Sequence, residues 1–398
     1  MSADDVIAND LRYILQTYQR PNFVLERGEG CYLFDTEGRR YLDCVSGIAV
    51  NALGYGDLQV VKAIADQAAL LIHTSNLYHT RPGTELAKLL VEHSFADKVF
   101  FTNSGAEAIE GALKLSRKYA REHYGEGKTA VVAFSGSFHG RTMGAVAITH
   151  REKYRLPFEP VMPGARFVEF NDLEAAEAAI REDVCAVVVE PVQGEGGLSV
   201  ASDEFLRGLR ALCDRVGALL VLDEIQCGLG RTGTLWAHEP YGIRPDIMTI
   251  AKPLGGGLPI GAILMTQPVA DVIHVGDHGS TFAGGPLVTA VAQVVFRRIA
   301  DPTFLAHVRE VGDYLDEALG DLAAAHPKVL ELRGRGLMRG LRIQGSAAAV
   351  REAGHQAGVL LATAGDDVVR LLPPLIFERH HVDEAIEKLG QALARAQL

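Results

Sequence analysis

The sequence predicts an α/β protein built on a mainly parallel sheet, and two features of the text carry that expectation. Runs of strand length rich in β-branched residues recur at 98–102, 129–134, 184–189, 218–222 and 246–250. Helical patterns lie between them, so the strands need right-handed crossovers and a sheet buried on both faces.

In chain order, 25–43 reads as short strands broken by the turns Arg27-Gly28-Glu29-Gly30 and Thr36-Glu37-Gly38. From about residue 58, helices alternate with apolar runs. After Ser104, the residues Ile109, Ala112, Leu113, Ser116 and Ala120 fall on one helical face. The tail changes character: 329–340 and 368–372 read as strands and 382–397 as a closing helix, giving α+β text. The expected organisation is an N-terminal segment over 1–54, a large domain over 55–285 and a smaller C-terminal domain over 286–398, with the N-terminal segment joining the smaller domain.

With 398 residues, 48% of them hydrophobic, the chain can bury a large core. A net charge of −11 gives no reason to bind a nucleic-acid backbone. The five cysteines, Cys31, Cys44, Cys185, Cys213 and Cys227, are scattered without metal-ligand spacing, so reduced thiols and no metal site are expected. Met1-Ser2-Ala3-Asp4-Asp5 lacks the apolar stretch of a signal peptide, and no apolar run is long enough to span a bilayer. The expected setting is the cytoplasm, or an organelle matrix had a transit segment been removed.

Ligands of open parallel sheets bind beyond the carboxyl ends of the strands, and the chemically suggestive residues stand there. After the first run comes Asn103-Ser104-Gly105-Ala106, where small residues opening a helix suit a phosphate. Read alone, the segment is equally an ordinary N-cap. After the second comes Ser135-Gly136-Ser137-Phe138-His139-Gly140-Arg141-Thr142. Phe138 is of a type to stack on a planar ring and Arg141 to grip a carboxylate with its fork. His139 by itself reads as a satisfied structural histidine. Glu190 and Glu195 follow the third run on a glycine-rich turn, facing a pocket or capping backbone.

Asp223 ends the fourth run. An acid there is costly to bury unless a cation or donor meets it, and a protonated pyridine nitrogen is such a partner; a structural ion pair is the competing account. Lys252 follows the fifth run and precedes Gly255-Gly256-Gly257. Desolvation and neighbouring positive charge would lower its pKa and make its amine nucleophilic. Ser280-Thr281 in a further glycine-rich stretch offers hydroxyl donors for phosphate. Gly228-Leu229-Gly230-Arg231-Thr232-Gly233 matches a dinucleotide-binding pattern, but Asp223–Cys227 separates it from the strand and a poor helix start follows.

Taken together and in this order, these segments resemble the class III (ω-) aminotransferases of fold type I, nearest to the acetylornithine aminotransferases. The likeness also includes Cys31-Tyr32-Leu33-Phe34-Asp35, Gly47-Ile48-Ala49-Val50-Asn51, Thr74-Ser75-Asn76-Leu77-Tyr78 and Arg370-Leu371-Leu372-Pro373-Pro374. The resemblance implies a seven-stranded, mainly parallel sheet in the large domain, pyridoxal 5′-phosphate (PLP) as cofactor, and a homodimer sharing its active sites across the interface. It implies that Lys252 holds PLP as a Schiff base and moves the proton, that Asp223 meets the pyridinium nitrogen, and that Phe138 lies on the ring. Gln226 would contact the phenolic oxygen. Gly105 and Ala106 would hold the phosphate, with Thr281, beside Ser280, reaching in from the partner subunit. Arg141 would bind the carboxylate of N2-acetyl-L-ornithine and Arg370 the α-carboxylate of glutamate. Glu195 would cover Arg370 when no carboxylate is there. The implied reaction is ping-pong transfer of the side-chain amino group of acetylornithine to 2-oxoglutarate, in arginine biosynthesis. Gly47-Ile48 replaces a tyrosine carried by relatives specific for free ornithine, while Ile48, His139 and Glu195 are shared with 4-aminobutyrate aminotransferases, the nearest alternative. A non-catalytic nucleotide-binding protein is a distant alternative resting on 228–233 alone.

Overall fold

The computed structural model describes residues 1–396 and contains three sheets. In the N-terminal segment, strands β1 (Leu25–Glu29), β2 (Tyr32–Asp35) and β3 (Arg40–Asp43) form an antiparallel meander. Asp35 shapes its second turn by accepting the backbone N–H groups of Glu37 and Arg39 at 3.0 and 2.9 Å.

The large sheet is made of β4 (Lys98–Thr102), β5 (Ala130–Phe134), β6 (Ala165–Val168), β7 (Val184–Val189), β8 (Leu219–Asp223), β9 (Ile247–Ile250) and β10 (Gly261–Met265). Its spatial order is β4-β10-β9-β8-β7-β5-β6. Only β10 runs against its neighbours. This is the seven-stranded, mainly parallel sheet that was expected, with β6 and β10 added to the five strands read directly from the text. β10 approaches β4 closely at Gly261, where a Cβ would fall 2.5 Å from the Thr102 hydroxyl and 2.8 Å from the Ser104 carbonyl oxygen.

Alternation along the strands divides the core. Val131, Ala133, Val188 and Val221 pack with Ile109 and Ala112 of the Gly105–Tyr124 helix on one face. Val132, Phe134, Val187, Leu220 and Leu222 meet Phe205, Leu206 and Leu209 of the Asp203–Val216 helix on the other. Each of these larger aliphatic and aromatic side chains contributes about 1.5–3 kcal/mol on full burial, so the strand ends stand on a rigid floor.

The tail supplies β11 (Val329–Arg335), β12 (Met338–Ile343), β13 (Val359–Leu360), β14 (Ala362–Thr363) and β15 (Val368–Leu371). The third sheet has the order β11-β12-β15-β14, while β13 leaves it to pair in parallel with β3, Val359 opposite Leu42 and Leu360 opposite Asp43. The closing helix spans Arg379–Arg395, starting earlier than the expected 382 because Glu378 and His381 form a reciprocal cap. Gln397, the expected end of that helix, lies outside the described residues. His381, in text that reads as a solvated face, is buried and stacks on Phe377 with ring centroids 5.1 Å apart.

Candidate active site

The chain lays β5, steps outward to β6, then returns to β7 on the other side of β5, creating a switch point where crossovers leave a crevice. The loops beyond β4, β5, β7, β8 and β9 converge there on one cavity of about 280 Å³. Gly105, Ala106, Phe138, Arg141, Glu195, Asp223, Gln226 and Lys252 all line it. His139, Gly140, Glu190 and Ile225 complete the lining.

Asp223, the last residue of β8, is buried and firmly held. Its Oδ1 accepts the Ile225 N–H at 3.1 Å and its Oδ2 lies 2.7 Å from His139 Nδ1. The sequence reading of His139 as an ordinary satisfied histidine needs correction: the ring is buried, it faces the acid, and its Nε2 has no partner among the described residues. Burial opposes its charged form, but the hydrogen bond and charge of Asp223 outweigh that and raise its pKa.

Lys252 follows β9 at the cavity wall. Burial lowers its pKa and Arg370 pushes the same way, while Asp223 opposes them; the net shift is downward. A lysine so placed has more free amine at neutral pH than a solvated one.

Gly105 opens a 20-residue helix behind the N-cap Ser104, whose hydroxyl accepts the Glu107 N–H. The N–H groups of Gly105 and Ala106 have no partner among the described residues and border the cavity. A Cβ at position 105 would come within 2.8 Å of the Ile225 side chain, so the glycine keeps this end of the cradle open. Ser280 lies beside this turn in the same chain, its hydroxyl accepting from Asn103 Nδ2 at 3.0 Å, but it does not line the cavity. Thr281 is exposed.

Arg370, on β15, is buried. One of its terminal nitrogens lies 2.7 Å from Glu195 Oε1 and also donates to the Gly194 carbonyl at 2.8 Å and Gln226 Oε1 at 3.1 Å. Arg141 is exposed and, among the described residues, has no hydrogen bond or ion pair; its guanidinium carbon lies 3.6 Å from the centre of the Tyr154 ring.

Glu190 is the residue whose setting the sequence left most open. It is buried beneath the cavity, accepting the N–H of Phe138 through one oxygen and that of Gly194 through the other, both at 3.0 Å. It thereby joins the loop carrying Phe138 and Arg141 to the loop carrying Glu195. Burial raises its pKa, His139 lowers it, Asp223 raises it and the two N–H bonds lower it, leaving it at about 7. A folded-state pKa above the unfolded value favours the fold most at low pH; this contribution fades as pH rises from about 4.5 to about 7. Glu190→Gln is therefore expected to reduce the fall in Tm between pH 5 and pH 8. An unchanged fall would contradict the assignment.

The glycines at 228–233 open no helix. Arg231 among them is wholly buried and donates to the carbonyls of Leu337 and Pro373, at 3.0 and 2.5 Å. Without a helix N-terminus behind these glycines to receive a phosphate, that alternative loses its support.

These residues fit a phosphorylated pyridine aldehyde. An amine with lowered pKa and a buried acid share one cavity, unpartnered backbone donors at a helix N-terminus suit a phosphate, and an aromatic ring lines the wall.

Comparisons with known proteins agree. A family model described as aminotransferase class-III matches residues 13–393. The chain is 52% identical to the mitochondrial acetylornithine aminotransferase of Alnus glutinosa, covering 96% of this chain and 86% of that one. It is 45% identical to the succinylornithine transaminase of Yersinia enterocolitica, covering 96% and 94%. A solved ornithine aminotransferase from Toxoplasma gondii, described with PLP at partial occupancy in its active site, superposes with a TM-score of 0.95 at 29% identity, covering 100% of this chain and 95% of that one. The chain belongs to the class III aminotransferases and is a PLP-dependent enzyme.

Proposed function

We propose that this enzyme transfers the side-chain amino group of N2-acetyl-L-ornithine to 2-oxoglutarate by a ping-pong route, serving arginine biosynthesis. The observation that carries the reading is the pair of arginines at one cavity: Arg370 covered by Glu195 at 2.7 Å, and Arg141 with its N–H fork uncommitted. One site that must take two different acids in turn needs such an arrangement. The relatives named for acetylornithine and succinylornithine support the substrate class.

When bound, PLP supplies an electron sink for the carbon that loses its proton. Lys252 is assigned to hold the cofactor and then to carry the proton at its Nζ. Asp223, oriented by Ile225 and His139, is assigned to the ring nitrogen, Phe138 to the ring face and Gln226 to the phenolic oxygen. Gly105 and Ala106 receive the phosphate. With acetylornithine, Glu195 stays on Arg370 and the carboxylate meets Arg141. With glutamate, Glu195 moves aside and Arg370 takes the α-carboxylate.

We infer a homodimer in which the partner subunit's Thr281, with Ser280 next to it in sequence, completes the phosphate and substrate contacts. Support comes from an exposed apolar surface of Leu70, Ile72, Leu77, Tyr78 and Phe282, on two segments that Asn76 ties together by donating to the carbonyls of Ser280 and Ala283. The division into a large domain over 55–285 and a smaller one from 1–54 with 286–398 is supported by the β3–β13 pairing. No helix among the described residues is long and apolar enough to cross a membrane; the proposed location is cytoplasmic.

The substrate reading is tested by single-turnover bleaching of the cofactor band with acetylornithine, 4-aminobutyrate and ornithine in parallel. Acetylornithine is expected to react fastest; preference for either of the others would overturn it. Glu195→Gln removes the charge that covers a buried guanidinium, a change worth several kcal/mol in such pairs. Its acetylornithine half-reaction should slow at least about tenfold while the glutamate half-reaction changes little, since about 1.4 kcal/mol corresponds to tenfold. Equal effects on both would make Glu195 merely structural.

A further inference from the structure

Arg141 is unusual among the cations of this site because aromatic rings alone hold it. Its guanidinium carbon stands 3.6 Å from the ring centre of Tyr154, the distance of face-to-face contact, and 5.6 Å from that of Phe138. The two rings meet edge to face, with centroids 6.0 Å apart and planes at 83°. Tyr154 sits on the short Glu152–Arg155 helix, half-buried. Arg151, the residue before that helix, donates to the Glu195 carbonyl at 3.0 Å, so this segment is anchored to the loop that controls Arg370. A guanidinium stacked through its face keeps all its N–H groups in the ring-parallel plane, free for a carboxylate, and its rotamers are restricted before the substrate arrives.

We propose that Tyr154 is a positioning residue: its ring pre-orients the Arg141 fork toward the substrate carboxylate and links that fork to Phe138. The proposal rests on Arg141 being the donor-carboxylate site. Tyr154 lines no part of the cavity itself, so it acts through Arg141. Glutamate carries a second carboxylate at its γ position, and with Arg370 on the α-carboxylate the fork of Arg141 is the one that faces it, so the stack bears on binding in both half-reactions.

The test uses the holoenzyme and the variants Tyr154→Leu and Tyr154→Phe. Loss of a cation–π contact on an exposed guanidinium, about 0.5–1 kcal/mol, predicts a KM for acetylornithine raised about two- to fivefold in Tyr154→Leu, with the KM for glutamate raised in the same direction and kcat little changed. Tyr154→Phe keeps the stack and should stay within about twofold of wild type on every constant. The Kd of N2-acetyl-L-norvaline, which is acetylornithine without its side-chain amine, reads the same effect without turnover and should weaken about two- to fivefold in Tyr154→Leu only. A loss in kcat with KM unchanged, an unchanged Kd, or an equal defect in Tyr154→Phe would overturn the proposal. If wild type fails to react with acetylornithine, the substrate reading falls instead, and the same comparison made with 4-aminobutyrate and its KM then decides the role of the stack.

Discussion

Lys252→Ala should lower turnover by about 10⁴-fold or more and abolish the visible band of covalently held cofactor. The size follows from losing one group with two duties. Proton transfer by a positioned side chain alone is worth about 10²–10⁴-fold, and the covalent link is lost with it. Lys252 suits both because the influences on its amine are unequal: burial and Arg370 lower the pKa, and Asp223 and the two glutamates recover only part of that. An added small primary amine should restore part of the proton transfer but not the covalent link. A variant that keeps the band and near-normal turnover would remove Lys252 from the chemistry.

Asp223→Ala should slow each half-reaction by about 10²-fold or more, the scale of losing a preorganised electrostatic partner. Both halves should suffer alike, because the acid is assigned to the cofactor and to neither substrate, in contrast with Glu195→Gln. The change also strips His139 of the contact that raises its pKa, leaving a buried imidazole with burial as the chief influence on it. The His139 contribution to wild-type stability is present below its unfolded pKa, about 6.5, and is lost as pH rises through the raised folded value. Asp223→Ala should therefore show a flatter pH dependence of Tm near neutrality. Single-turnover rates within a few-fold of wild type would refute the role of the acid.

Much of this site was legible because parallel sheets place function at strand ends. An apolar run followed by a lysine and glycines, or by an acid, marks a position where burial is expensive and so calls for a chemical reason. The helix after Ser104 was equally plain: Ile109, Ala112, Leu113, Ser116 and Ala120 are all buried on the face their spacing indicated. Elements defined by distant partners were not legible. β10, Gly-Ala-Ile-Leu-Met, lacks β-branched bias and is fixed by pairing with β4 and β9. The β3–β13 pairing joins the two ends of the chain across more than half its length. His139 and Asp223 are 84 positions apart, and nothing local to the histidine shows that an acid will face it. Tyr154 stands between Lys153 and Arg155, and only the fold brings its ring against Arg141. Lys128 shows the limit of inferring reactivity from burial. It is buried, but its amine donates to the carbonyls of Glu182 and Val216, at 2.9 and 2.6 Å, and it lies outside the cavity lining.

The central claim is that Lys252 is the lysine joined to the cofactor. Borohydride reduction of the purified holoenzyme followed by peptide mapping tests it directly. The account predicts one phosphopyridoxyl adduct, on the peptide containing Ala251-Lys252-Pro253. Its appearance at another lysine would contradict it.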